Sequence, residues 1–215
     1  MKVEIWSDVM CPFCYIGKRK FEKALEQFPR KDEVEIVWKS FQLDPNLKTD
    51  AKTTINQMLA DKKGWSLEYA QEMNNHVSKI AKAVGLDYNL NEAIVANSFD
   101  AHRFSHLAKK HHLQNEAEER LFKAYFTEGK NTADHNTIIQ LGVDIGMDAS
   151  EIKQMLESNE YADEVRNDLQ EAQQVGVRGV PFFLINRKYA ISGAQESSTF
   201  LESLNKAWEE VENKI

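Results

Sequence analysis

Both cysteines of this 215-residue chain stand in one Cys-x-x-Cys, Cys11-Pro12-Phe13-Cys14. The segments on either side of it differ in period, and that limits the fold more than any other feature. Before it, Val3 and Ile5 alternate with Glu4 and lead into Trp6, the pattern of a short strand. After it, Phe21, Ala24, Leu25 and Phe28 recur at i, i+3, i+4 and i+7, the spacing of one helix face. The motif therefore occupies a strand-to-helix junction, with Cys11 near the helix N-terminus. Pro12 suits the first helical turn, where a missing N–H costs little. Unpaired N–H groups and the positive end of the helix dipole favour a thiolate at such a place. A thiolate is the attacking species in disulfide exchange, and a thiol three residues on can resolve the mixed disulfide.

Other uses of two cysteines fit less well. A structural disulfide is not expected without further cysteines or a secretory signal. Zinc needs two more ligands, and there is no second Cys-x-x-Cys. His102 and His106, at i and i+4, could supply them on paper, but they read as helix-surface residues. No metal and no organic cofactor is expected. The plain alternative is a pair of inert core thiols.

The length suits one large domain, or one with a substantial insertion, and provides an ample core without staples. A net charge of −7 with no basic stripe argues against a nucleic-acid partner. No apolar run approaches the roughly 20 residues of a membrane span. Met1-Lys2-Val3-Glu4 opens without an apolar signal region, so a soluble, cytoplasmic protein is expected. In a reducing compartment a cysteine pair is more often catalytic or metal-binding than structural.

Along the chain, the first helix is predicted from Pro12 to about Gln27, ending near Pro29. Val34, Ile36 and Trp38 mark a second strand, so the start reads β-α-β with parallel strands and a right-handed crossover. Thr53 to Val175 reads as helices with almost no strand. Helices are predicted over Thr53–Lys63, from the Ser66 cap to Gly85, over Asn91–Lys110 and over Asn115–Thr127. Three more follow: one from the Asp134 cap, one behind an Asp148/Glu151 capping box, and one ending at Gly176. Strand character returns at Val180–Ile185 and Tyr189–Ser192, with Asn186-Arg187 between them as a turn. A last helix carries Phe200, Leu204, Trp208 and Val211. The fold class is thus α/β, a β-α-β … β-β-α mixed sheet split by a large all-helical insertion. The sheet domain is drawn at 1–44 and 176–215, and the insertion at 45–175.

This order, with Cys-x-x-Cys after the first strand and Val180-Pro181 before the third, resembles the thioredoxin fold. The insertion makes it similar to the DsbA-type branch, and it resembles the cytoplasmic FrnE-like oxidoreductases of that branch more closely still. The resemblance rests on Ser7-Asp8, Cys11–Gly17, Asn97 with Ala101-His102-Arg103, Gly179–Phe183 and Ser192–Gln195. It implies Cys11 as nucleophile, Cys14 as resolving thiol and Pro181 as a cis-proline beside them. Val180, Pro12 and Phe13 would contact a disulfide or thiol substrate, protein or low-molecular-weight. In such a bend the Val180 backbone is free to pair with an extended substrate. His102 and Arg103 are candidates to face the substrate, with helix-surface or capping roles equally open. Asp8 reads as a turn or cap residue, or as a proton acceptor for Cys14. His76, His111, His112 and His135 read as solvated. Phe13 stands where DsbA proteins carry histidine, so one electrostatic stabiliser of the thiolate is missing. Kappa-class glutathione transferases and hydroxychromene-carboxylate isomerases share the insertion but place serine where Cys11 stands. Transfer or isomerisation with glutathione is thus the alternative enzyme, and a thiol-dependent chaperone module is a third reading. The residues carry no signal for oligomeric state.

Overall fold

The computed structural model describes residues 1–212. The elements run β1 (Lys2–Ser7), α1 (Pro12–Gln27), β2 (Glu35–Ser40), β3 (Asp50–Thr54), α2 (Ile55–Lys63), α3 (Leu67–Ala83), β4 (Ile94–Val95), α4 (Phe99–Lys110). Then come α5 (Gln114–Phe126), α6 (His135–Asp144), α7 (Ala149–Leu156), α8 (Ala162–Val175), β5 (Phe182–Ile185), β6 (Tyr189–Ser192) and α9 (Ser197–Glu212).

The first strand is buried on both faces from Val3 to Ser7, as befits a strand inside a sheet. β1 pairs in parallel with β2, Ile5 opposite Trp38, and antiparallel with β5, Ile5 opposite Phe183. β6 pairs antiparallel with β5, and the order is β2-β1-β5-β6. This is the mixed sheet that the sequence pattern predicts, in the form that the thioredoxin resemblance implies. Asn186 and Arg187, at φ 50° and 56°, are the central residues of a turn closed by the Lys188 N–H on the Ile185 carbonyl at 3.0 Å, within the three-residue connection 186–188. Asn186 also accepts the Lys2 N–H at 2.9 Å, tying the turn to β1.

Each sheet face has its own cover. Phe21 of α1, Phe183 of β5 and Phe200 of α9 meet with ring centroids 4.6–5.7 Å apart. On the other face Trp6, Phe182 and Leu184 pack with Ala172 of α8 and with Val177. The Trp6 indole donates to the Asp168 carbonyl at 3.1 Å, and the Asp168 carboxylate accepts the Ser40 N–H at 2.9 Å. α8 thus serves the sheet, although the sequence reading drew it inside the 45–175 insertion.

The insertion departs from the expected helices in one region. β3 and β4 form a small antiparallel pair, and residues 91–98 are not helical. Asn97 explains the break. Its N–H bonds Thr49 Oγ1, its amide nitrogen bonds the Leu47 carbonyl, and its Oδ1 accepts the Phe99 N–H that opens α4. Elsewhere the caps hold: Thr54, Ser66, Asp134 and Asp148 side chains each accept an N–H of the first turn. The Asp148/Glu151 box is only half formed, because the Glu151 carboxylate is bonded to Lys110 and His111 instead. Among the described residues no helix is long and apolar enough to cross a membrane.

Candidate active site

Cys11 is the N-cap of α1, extended at φ −87° and ψ 110°, with Pro12 in the first turn. The Cys11 N–H donates to the Asp8 carbonyl and the Cys14 N–H to the Cys11 carbonyl, both at 2.9 Å, so the loop is wound tightly into the helix. Both thiols are free, Cys11 5% exposed and Cys14 1%. Both residues are buried, Cys11 nearer the surface and Cys14 deeper.

The long-range partner of this turn is the segment before β5. The Val180–Pro181 peptide is cis, and the Cys11 thiol lies 3.4 Å from the Val180 carbonyl oxygen. Gly193 N–H donates to the Pro181 carbonyl at 2.8 Å and anchors that segment to the end of β6. Gly17 lets the proline approach: a Cβ built there would stand 2.8 Å from Pro181 Cγ. Phe13, 40% exposed, projects beside the cysteines, and Val180 is half-buried.

The insertion closes the site from the other side. Tyr88 Oη donates to the Pro12 carbonyl at 2.7 Å, and its ring stacks on Phe126 at 4.7 Å. Burial raises the Tyr88 phenol well above its ordinary value, so it stays a donor. Tyr15, Lys18 and Arg19 of α1 converge on Glu119 of α5. Burial alone would raise that carboxyl, but Arg19 and Lys18 hold it at about 2. Neither Tyr88 nor Glu119 carries a sequence motif, so sequence reasoning missed both. Gly17 was visible only as one letter of the shared pattern.

Asp8 is a turn residue. One carboxylate oxygen accepts the Met10 N–H at 3.3 Å and the other the Leu43 N–H at 2.7 Å. His102 and His106 are buried rather than on the helix surface, because α4 is enclosed by its neighbours along Ala101–Ala108. His102 Nε2 donates to the Phe41 carbonyl at 2.8 Å and lies 3.6 Å from Asp8. Burial disfavours its charge, but Asp8, with Glu118 beyond, raises its pKa overall. His106 pairs with Asp168 at 3.0 Å, on the far side of the sheet from α1. Arg103 does not reach the cysteines. Its guanidinium is bonded to the carbonyls of Met155, Ser158 and Glu160 and to Asp100, which closes the α7–α8 connection. His111 and His135 pair with Glu151 and Asp100. The structure thus gathers Cys11, Cys14, Pro12, Phe13, Val180 and Pro181 at one place, puts His102 behind them through Asp8, and leaves Arg103 apart.

The model of the DSBA-like thioredoxin domain family matches residues 2–205. The probable DsbA oxidoreductase SCO1869 from Streptomyces coelicolor is 40% identical, with a TM-score of 0.92 over 98% of this chain and 91% of that one. YwbO of Bacillus subtilis, an uncharacterized protein, is 27% identical over 94% of this chain and 95% of its own. The cytosolic disulfide reductase DsbM from Pseudomonas aeruginosa has the same fold, at a TM-score of 0.66, 13% identity, and 100% and 98% coverage.

Proposed function

We propose, because the chain belongs to the DSBA-like thioredoxin domain family, that it exchanges disulfides through Cys11 and Cys14. The observation that carries this reading is the paired placement of the sulfurs: one at the helix N-cap facing the Val180 carbonyl, the other sealed one turn inward. Cys11 thiolate attacks one sulfur of a substrate disulfide, and the substrate's other sulfur leaves as a thiolate. Cys14 then loses its proton and attacks Cys11 Sγ, and the second substrate thiolate departs. The substrate disulfide is reduced by two electrons, and the protein keeps the Cys11–Cys14 disulfide. Run backwards, the same steps oxidise a dithiol. Pro12, Phe13 and the Val180 main chain form the apolar rim on which an extended substrate would lie. His102 acts from behind, holding Phe41 and Asp8, and does not touch substrate. The expected setting is the cytoplasm, where the absence of further cysteines fits a working thiol pair.

The test is a trap. Cys14→Ser leaves attack intact and removes resolution, so mixed disulfides on Cys11 accumulate in cells, and Cys11→Ser accumulates none. A ladder of protein adducts on non-reducing electrophoresis supports a protein substrate. A single glutathione adduct moves the assignment to a glutathione-dependent enzyme. No adduct of any kind overturns the exchange reading.

A further inference from the structure

The resolving step leaves one problem open. Cys14 must become an anion in a place sealed from water. Burial, with the neighbouring Cys11 thiol, pushes the Cys14 pKa well above the ordinary thiol value.

Ser7 is the last residue of β1 and is 1% exposed. Strand side chains alternate, so Ser7 projects on the same face as Val3 and Ile5, the face that α1 covers. Cys14 lies one turn into α1 and faces the same layer. The Ser7 hydroxyl approaches the Cys14 thiol, as does the Asp8 backbone N–H, and these two groups oppose the effect of burial. The Ser7 hydroxyl oxygen is fully buried and has no hydrogen-bond partner among the described residues. A buried polar atom in that state calls for an explanation, because its lost hydration is not made good by a hydrogen bond.

We infer that the Ser7 hydroxyl is the hydrogen-bond donor that receives the Cys14 thiolate as it resolves the mixed disulfide. The neutral thiol is a poor acceptor, so the bond is weak in the resting enzyme and forms when charge appears on Cys14 Sγ. The Cys14 proton ends in the bulk solvent. The Cys14 sulfur bonds to Cys11 Sγ, the Cys11–substrate bond breaks, and the substrate thiolate carries the charge away. Ser7 then returns to its unpartnered state, so the donor favours the transient anion over the states on either side. The titratable groups facing Cys14 are Cys11 on its own helix and Tyr88 from the insertion. The Asp8 carboxylate is held by the Met10 and Leu43 amides.

This inference rests on the exchange mechanism, and the experiment separates the two. An aromatic disulfide that releases a coloured thiolate is mixed with the reduced protein. A fast release reports attack by Cys11, and a second, unimolecular release reports resolution by Cys14. Absence of the second release in wild type would remove the exchange mechanism itself. Given both releases, Ser7→Ala should leave the first unchanged and raise the pH midpoint of the second by about one unit, the effect of one hydrogen bond to a charged acceptor. Below that midpoint the thiolate fraction falls tenfold per unit while nucleophilicity rises about threefold, so resolution slows about threefold. Above both midpoints only the nucleophilicity gain remains, and Ser7→Ala resolves about threefold faster than wild type. A loss of packing alone would slow the step at every pH. Ser7→Thr should keep the wild-type midpoint and Ser7→Val should not. That matched pair differs only in the hydroxyl and serves equally if the alanine variant does not fold. Superimposable pH profiles for wild type and Ser7→Ala, or for Thr and Val, would overturn the inference.

Discussion

Gly17→Ala sets two known effects against each other. Alanine is the better helix former by about 1 kcal/mol, so on propensity alone the change stabilises α1. The structure says otherwise. The new methyl would meet Pro181 Cγ at 2.8 Å, with Pro181 Cβ at 3.5 Å and Ala194 Cα at 3.6 Å behind it. Ordinary carbon contacts begin near 3.5 Å, so about 0.7 Å must be found. A pyrrolidine ring cannot swing aside, and this one is pinned through its carbonyl to the Gly193 N–H. Overpacking of this kind costs about 1–3 kcal/mol. Subtracting the helix gain leaves a net loss of about 1 kcal/mol, or a fall in Tm of about 2–4 °C for a chain of this size. The larger effect falls on chemistry. Pushing Pro181 outward carries the Val180 carbonyl away from the Cys11 sulfur it faces at 3.4 Å. A misplacement of 1 Å can cost about a hundredfold, so a shift of roughly half that should cost about tenfold in turnover. Thermal unfolding followed by circular dichroism gives the first number. Steady-state reduction of an aromatic disulfide with a recycling thiol gives the second. A variant that is about 1 kcal/mol more stable with unchanged turnover would mean that the contact with Pro181 is not tight and that propensity decides.

Two further outcomes follow from charges away from the cysteines. Glu119 has a folded pKa of about 2 against an ordinary 4.5, so its contribution to stability is complete above pH 4.5 and is lost as pH falls from there through about 2. Unfolding curves taken across that window should show a steeper acid loss for wild type than for Glu119→Gln, and equal slopes would refute the assignment. Arg103→Lys keeps the charge, but one ammonium cannot span the carbonyls and the Asp100 carboxylate spread around the planar guanidinium, and it should cost about 3 kcal/mol, or about 6–12 °C in Tm. Folded protein should retain normal release of the first thiolate from an aromatic disulfide, and loss of that phase would return Arg103 to the site.

What could be read from the residues depended on how far apart the interacting groups are in the chain. The reactive turn is local: a strand, two cysteines, a proline and a helix face lie within the first 28 residues and specify their own geometry. The sheet was legible too, because its strands carry period-two or wholly apolar runs bounded by turn residues. The error at 91–98 has a local cause that periodicity cannot see, since Asn97 uses side-chain bonds to a distant loop to delay the start of α4. The roles of His102 and Arg103 were illegible for another reason. Assigning a residue to an outward or inward face requires a helix with one polar side, and α4 is buried on all sides. Its polar groups answer to whatever backbone carbonyl lies opposite: Phe41 for His102, and Met155, Ser158 and Glu160 for Arg103. The same logic separates reaction from control at the site. The groups that make and break bonds are neighbours in sequence. The groups that set their exposure and position, Pro181 against Gly17 and Tyr88 against Pro12, arrive from distant segments. A change at a distant segment should therefore alter the rate of exchange without altering its chemistry, whereas a change at Cys11 or Cys14 should alter which intermediate accumulates.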